Sequence, residues 1–452
     1  MAELATIVLA AGKGTRMKSK LPKVLHKIGG KSMVEHIIST ADTLNPVLNI
    51  AIIGYKSELV KSNLEDSNVK FAYQNQQLGT GHAVMQAEDL LADFTGSVLV
   101  LCGDTPLLTA DTLNRLFQQQ QREGIAAAVL TTEVEDPAGY GRIIREQTGD
   151  VAQIVEDKDA TAEEKKIKEI NTGTYCFDSQ LLFSALDKID NDNAQGEYYL
   201  TDIIEVFKEE NNRVAAVVTD DKSEILGVNT RRHLVQAGKI LQKRICNQHL
   251  DEGVTIIDPE NTFIDQEVEI GRDVIIHPFT TIEGETEIGD GTVIGSQSRI
   301  IDSKLGSEVT VEHSVIREAE IGDSTKVGPF AYLRPGTEIG KEGKAGSFVE
   351  IKESKVGNQS KVPHLSYIGD TMIAEEVNVG AGTITANYDG EEKHKTEIQS
   401  QAFIGSNSTL VAPVEIGQGA VTGAGSVVTR DVADNTLVLG VPAKEKNSEG
   451  EN

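Results

Sequence analysis

Isoleucine occupies every sixth position at Ile270, Ile276, Ile282, Ile288, Ile294 and Ile300. Neither an α-helix, with its 3.6-residue period, nor a half-buried strand, with a period of two, produces that spacing. A six-residue repeat needs a chain that turns a corner once per hexad, which makes a three-sided coil with aliphatic side chains along its axis. Two residues before each isoleucine stand Val268, Val274, Thr280, Thr286, Thr292 and Ser298, β-branched or small residues that suit a strand and a corner. Gly, Asp, Glu and Thr fill the turns between them. After a slip the register resumes at Ile321, Val327, Leu333, Ile339, Ala345 and Ile351. It resumes again at Val356, Val362 and Ile368, and finally at Ile404, Leu410, Ile416, Thr422 and Val428. The slips read as insertions. One hexad cannot enclose a core, so stability has to come from stacking about ten such coils.

Ahead of the solenoid, apolar runs at Thr6–Ala10, Ile50–Ile53, Val98–Leu101, Ala126–Leu130 and Val214–Val218 alternate with helical patterns at Ser32–Leu44, Ala83–Leu91 and Asp111–Arg122. That alternation predicts an α/β fold with a mostly parallel sheet. Leu234, Ile240, Leu241 and Ile245 recur at helical spacing and predict a connecting helix. The expected organisation is therefore residues 1–229, a linker helix at 230–250, and a β-helix at 251–452 with a short polar tail from Lys444.

Acidic residues number 70 against 43 basic ones, for a formal net charge of −27. Such a balance argues against a general binder of nucleic acid or of anionic membranes, which needs clustered cations. The apolar run at the N-terminus is too short for a signal segment, and no stretch is long enough to span a bilayer, so a soluble, cytoplasmic protein is expected. Cys102, Cys176 and Cys246 are far apart, without metal-site spacing, and read as buried thiols.

Chemistry enters where Ile7-Val8-Leu9 runs into Ala10-Ala11-Gly12-Lys13-Gly14-Thr15-Arg16, followed by Lys23. Small residues let backbone N–H groups close on phosphate oxygens, and Arg16 and Lys23 can offset charge on a transferred phosphoryl group. The loop lacks the Gly-Lys-Ser/Thr ending of a Walker A motif, and Met17 breaks the dinucleotide fingerprint. Alone it is as readily a plain tight turn. Asp104 follows the apolar strand Val98–Cys102, at the carboxyl end where α/β sheets bind ligands, and offers the hard oxygen that Mg²⁺ prefers.

Leu9-Ala10-Ala11-Gly12-x-Gly14-Thr15-Arg16-Met17 with Pro22-Lys23 resembles the signature of the sugar-phosphate nucleotidyltransferases. Gln74, Leu78-Gly79-Thr80-Gly81-His82, Gly103-Asp104, Gly139-Tyr140-Gly141-Arg142, Ile154-Val155-Glu156, Asn171-Thr172-Gly173 and Gly227-Val228-Asn229 follow in that family's order. The resemblance implies a Rossmann-like domain in which Leu9, Ala10, Ala11, Gly12 and Lys23 contact UTP. It further implies that Gln74, Gly79 and Thr80 read uracil and that Gly141, Glu156 and Asn171 hold the sugar. Asp104 and Asn229 would ligate Mg²⁺, with Asn229 also at the nucleotide, and Arg16 and Lys23 would be catalytic.

Within the solenoid the irregular segments carry the reactive side chains: Tyr332–Gly336, Phe348–Lys352, Val362–Asp370 and Asn378–Gly390. A solenoid bearing these residues is similar to the hexapeptide-repeat acyltransferases. Joined to the first half, it resembles the family of bifunctional enzymes that acetylate glucosamine 1-phosphate and then uridylylate the N-acetylglucosamine 1-phosphate. That resemblance implies a left-handed parallel β-helix and a homotrimer with acetyltransferase sites between subunits. His364 would be the general base, a role that suits imidazole near neutral pH. Arg334 and Lys352 would grip the substrate phosphate, Tyr367 and Asn378 the sugar, and Ala381, Asn387, Tyr388, Ser406 and Ala424 would line the acetyl-CoA groove. The family's arginine near the end of the solenoid is missing from Leu439-Gly440-Val441-Pro442-Ala443-Lys444, where Lys444 is the available cation. His82, His233, His249, His277, His313 and His394 read as structural. A second reading keeps the β-helix as a regulatory or oligomerisation module on a sugar-nucleotide pyrophosphorylase.

Overall fold

The computed structural model describes residues 3–446. The chain divides into two compact units, Met1–Leu241 and Gln242–Asn452. The first is built on a nine-stranded sheet whose main path runs Arg213–Val218, Ile125–Glu133, Glu169–Asp178, Ser97–Cys102, Leu4–Ala10, Leu48–Ile53 and Lys70–Tyr73. All five expected strands are present, and Leu4–Ala10 pairs in parallel with both Leu48–Ile53 and Ser97–Cys102. Val98, Leu99, Val100 and Leu101 are wholly buried because apolar clusters cover both faces, which explains why the strands read as unbroken apolar runs.

One strand escaped the pattern. Glu169–Asp178 runs antiparallel to both neighbours, and its register shifts between Asn171 and Tyr175, where polar residues interrupt the hydrophobic run. A hairpin of Arg142–Arg145 and Val151–Val155 hangs from it. The helix Met33–Asp42 starts at a capping box between Ser32 and Glu35. The helix expected over Ala83–Leu91 is instead two short ones, Thr80–Met85 and Glu88–Leu91. Between them the N–H groups of Gln86 and Ala87 bond only three residues back, and the Gln86 amide takes the His82 carbonyl at 3.0 Å. The linker region is a single helix, Arg231–Asp251.

The second unit consists of three sheets of 12, 10 and 9 strands, in which strands pair in parallel with the third one after them until the last coil, where Val421–Thr422 pairs with Leu437–Leu439. Ile276, Ile282, Ile294 and Ile300 are completely buried on the axis. Ile270, on the first rung of its sheet, is partly exposed because a neighbour covers it on one side only. The hydroxyls two residues earlier are buried and satisfied: Thr280 and Thr286 donate to His277 and Glu283 carbonyls at 2.8 and 2.7 Å.

The slips are not insertions, which corrects the sequence reading. Ile300 stacks on Ile316 and Leu305 on Ile321, so sides such as Ile300–Leu305 and Ile316–Ile321 have lost one residue and stay in register. A shortened side still spans its edge because the strand is only two or three residues long and the corner absorbs the change. Among the described residues the one true insertion lies between Thr385 and Ile398. The expected tail also begins differently: Lys444–Glu445 pairs antiparallel with Leu437–Leu439, while residues 447–452 lie outside the described part. Cys176 and Cys246 are buried as expected, whereas Cys102 is only partly so, since it ends its strand two residues before Asp104.

Candidate active sites

The strand Leu4–Ala10 ends in the small-residue loop, where Gly14 takes a left-handed conformation with φ 58°. A Cβ there would come within 2.5 Å of Lys23 Cβ, so glycine is what lets Lys23 approach the loop. The Lys23 ammonium bonds Asp104 Oδ2 directly and Asn229 Oδ1 at 3.0 Å. Arg16 Nη2 reaches the same Asn229 oxygen at 2.8 Å. The Val228 N–H donates to the Asp104 carbonyl at 2.8 Å and ties the two oxygen donors together through the backbone. Two side-chain oxygens thus converge on one cationic position, which the lysine ammonium fills. No described cluster of three or more His, Cys, Asp or Glu is able to cage a metal ion. This donor set fits a hard divalent cation that takes one or two protein oxygens and completes its shell from phosphates. His233, read as structural, lies beside this group, with Nδ1 3.4 Å from the Asn229 N–H.

The residues expected at the sugar also meet. A Cβ on Gly141 would lie 3.4 Å from Asn171 Cβ and 3.6 Å from Glu156 Oε1, and the Asn171 N–H donates to the Gly141 carbonyl at 2.9 Å. Burial raises the Glu156 carboxyl above the ordinary range, against a hydrogen bond from Thr201 Oγ1 at 3.4 Å. Nearby Asp202 is pushed up to about 6 by burial and by Glu156. Arg142 holds the chain neighbours of Gly141 and Glu156: one guanidinium nitrogen bonds the Tyr140 carbonyl and the other Asp157 Oδ1 at 2.9 Å. Among the residues expected at the base, Gly79 has φ 113°, and a Cβ there would lie 2.4 Å from the Tyr198 carbonyl, so only glycine fits. Thr80 Oγ1 accepts from the Leu200 N–H at 3.1 Å.

On the β-helix, Tyr332, Glu350 and Tyr367 stack in register on one sheet, and Arg334 Nη1 bonds Glu350 Oε1 at 2.8 Å. Lys352 follows in the same sheet. Lys393, which sequence reading missed, is a neighbouring cation of Lys352. That neighbour first, and then burial, holds Lys352 below the usual lysine range. Two neighbouring ammonium groups favour a multiply charged anion between them. Lys393 sits in the one insertion, whose hairpin is pinned by the Tyr388–Lys393 bridge, a bond from His394 Nε2 to Asp389 Oδ2 at 2.7 Å, and one from Asn387 to Asp370. The break in register was the available signal. His364 is exposed at the corner leading into this sheet, and Ala381, Ser406 and Ala424 occupy that corner on successive coils. Asn378 does not join Arg334 and Lys352, because it faces outward from the preceding sheet beside Lys361.

Residues 5–229 match the family model described as Nucleotidyl transferase, and residues 267–302 and 395–430 match Bacterial transferase hexapeptide (six repeats). The curated protein named Bifunctional protein GlmU from Heliobacterium modesticaldum is 50% identical over 97% of this chain and 96% of its own length. The protein of that name from Streptococcus agalactiae serotype V is 48% identical over 98% of this chain and 96% of its own. The chain belongs to the GlmU family. It is a bifunctional transferase with a Rossmann-like nucleotidyltransferase unit and a left-handed parallel β-helix of hexapeptide repeats. Membership also explains why reactive side chains gather where the repeat is irregular, since a β-helix serving only to assemble subunits has no use for them.

Proposed function

We propose that the β-helix acetylates glucosamine 1-phosphate from acetyl-CoA and that the N-terminal unit then joins N-acetylglucosamine 1-phosphate to UMP from UTP, releasing pyrophosphate. In the first step His364 takes a proton from the substrate ammonium, and the freed amine attacks the thioester carbon as the C–S bond breaks. Arg334, Lys352 and Lys393 hold the phosphate, Tyr367 and Asn378 the sugar. Ala381, Asn387, Tyr388, Ser406 and Ala424 line the coenzyme groove, with Lys444 as the terminal cation. In the second step a sugar-phosphate oxygen attacks the α-phosphorus in line while Arg16 and Lys23 stabilise the departing pyrophosphate. Leu9, Ala10, Ala11 and Gly12 cradle the nucleotide, Gln74, Gly79 and Thr80 read the base, and Gly141, Glu156 and Asn171 hold the sugar. Mg²⁺ held by Asp104 and Asn229 would supply charge neutralisation on the triphosphate.

The observation that carries this reading is the set of polar side chains on one sheet of the solenoid, where Tyr332, Glu350 and Tyr367 stack in register, Arg334 bonds Glu350 at 2.8 Å and Lys352 shares the Glu350 strand, which a purely regulatory module would not need. A homotrimer is supported by Phe279, Phe330, Phe348 and Leu365, which line one corner and are 55–64% exposed, with the two middle rings stacked 5.1 Å apart. That apolar ridge ends next to His364, and a second copy covering it would bring its own residues to the base, which also accounts for Asn378 standing apart. Because UTP and acetyl-CoA are co-substrates, the proposed place of action is the cytoplasm. End-product analysis with glucosamine 1-phosphate, acetyl-CoA, UTP and Mg²⁺, each omitted in turn, tests the scheme. UDP-N-acetylglucosamine formed only from the complete mixture is expected. Pyrophosphate release without any acetyl transfer would restore the regulatory reading of the β-helix.

A further inference from the structure

His82 has no role in the proposed reactions, yet its ring Nδ1 lies 3.1 Å from Gln74 Nε2. The same Gln74 nitrogen donates to the Gly79 carbonyl at 2.9 Å. A carbonyl oxygen only accepts, so the Gly79 contact fixes which end of the amide faces the protein. The second amide hydrogen then points to Nδ1, which accepts it in the tautomer that carries the ring proton on Nε2, 3.4 Å from the Gln86 amide nitrogen. Both donors of Gln74 are spent, and no described residue donates to its Oε1. The residue is only 4% exposed and is anchored by its backbone, whose N–H donates to Ile53 and whose carbonyl accepts from Gln77.

We propose that His82 is a positioning residue that locks the Gln74 amide with its oxygen outward and so selects uracil over cytosine. The inference rests on the reading that Gln74 meets the base. Uracil carries an N3–H donor, which an outward Oε1 accepts. Cytosine carries a bare N3, so the same oxygen would oppose a lone pair. An amide free to turn would present its NH₂ group and satisfy cytosine instead. The turn is resisted at two points, the Gly79 carbonyl and, while the ring proton stays on Nε2, the Nδ1 lone pair. Removing His82 removes one of the two. A site that pairs each polar group of the right substrate rejects one that leaves them mismatched.

Initial rates of pyrophosphate release with UTP and with CTP, on the full chain with Mg²⁺, test the lock. His82→Phe keeps a ring beside Tyr198, whose centroid lies 6.4 Å away, but removes the acceptor. Its ratio of kcat/KM for UTP over CTP is expected to fall about tenfold, the scale of one neutral hydrogen bond. The loss should sit in the nucleotide KM, with the sugar-phosphate KM unchanged. His82→Asn, whose side-chain oxygen accepts, should recover part of the ratio, and 3-methyluridine 5′-triphosphate should be a poor substrate for the unaltered enzyme. If Gln74→Leu lowers the ratio and His82→Phe leaves it unchanged, the lock is wrong and the base contact stands. If Gln74→Leu changes neither the ratio nor the UTP KM, the base contact itself is wrong and the lock falls with it. Should His82→Phe fail to fold, the His82→Asn ratio and the methylated nucleotide decide: a ratio like that of the unaltered enzyme with ready use of 3-methyluridine 5′-triphosphate overturns the proposal.

Discussion

Ile300 and Ile368 are equally buried, at 0% exposure, yet only the second lies within the irregular coils. Ile300→Ala removes three carbons at roughly 0.8 kcal/mol each, or about 2.4 kcal/mol of transfer free energy. A cavity term adds to this, since Ile282 and Ile316 above and below are held by strand pairing and cannot collapse into the gap. The expected cost is about 3–4 kcal/mol. Ile368 is held between Ile351 and the Ile384–Ala386 strand, and Ile368→Ala should cost about the same. The two differ in their effect on chemistry. Each coil contacts only its neighbours, so the Ile300 defect stays local, whereas Ile368 directly adjoins Tyr367. Urea unfolding of the β-helix, paired with thiol release from acetyl-CoA below both transitions, separates the effects. Similar destabilisation is expected, with acetyl transfer lost in Ile368→Ala alone. A cost under about 1 kcal/mol for Ile300→Ala would refute a tightly packed axis. Loss of acetyl transfer in Ile300→Ala with normal transfer in Ile368→Ala would refute the confinement of the chemistry to the irregular coils.

Lys393→Ala should raise the KM for glucosamine 1-phosphate about tenfold, as expected for one charge-assisted contact at an exposed site, and leave uridylyl transfer untouched. Lys352 binds phosphate only while protonated, and its depressed ammonium loses its proton sooner as pH rises. Losing Lys393 should therefore move the alkaline limb of acetyl transfer upward, and a pH profile of kcat/KM checks the direction. Asp104→Asn should reduce Mg²⁺-dependent pyrophosphate release by more than about a hundredfold while acetyl transfer continues, measured on one preparation with both assays. Arg142→Met should raise the KM for N-acetylglucosamine 1-phosphate about tenfold with little change for UTP, because the guanidinium holds the residues next to Gly141 and Glu156. Parallel titration of the two substrates would expose a general folding defect instead, through equal loss for both.

Much of the architecture was legible. The isoleucine period foretold the stacked coils, and apolar runs such as Val98–Cys102 foretold the parallel strands, since each pattern mirrors a burial pattern one element long. The shortened sides were misread because a one-residue slip in sequence looks the same whether a corner has grown or shrunk. Only the pairing of Ile300 with Ile316 shows which. The antiparallel strand Glu169–Asp178 was missed because Asn171-Thr172-Gly173 interrupts its apolar pattern where the register shifts. Lys393 and His82 were passed over for a related reason: neither lies in a hydrophobic pattern, and each acquires meaning from a residue elsewhere in the chain.

Local order alone determined that this protein has an α/β half and a coiled β half, because backbone geometry ties each repeat period to one way of burying apolar side chains. Only the tertiary structure decided which polar groups face one another. Lys23 lies between Asp104 and Asn229, Lys352 neighbours Lys393, and the Gln74 amide is turned by Gly79 and His82. Such meetings depend on how strands and coils stack, and hydrogen-bond direction is set by the partner that arrives, which no period along the chain encodes.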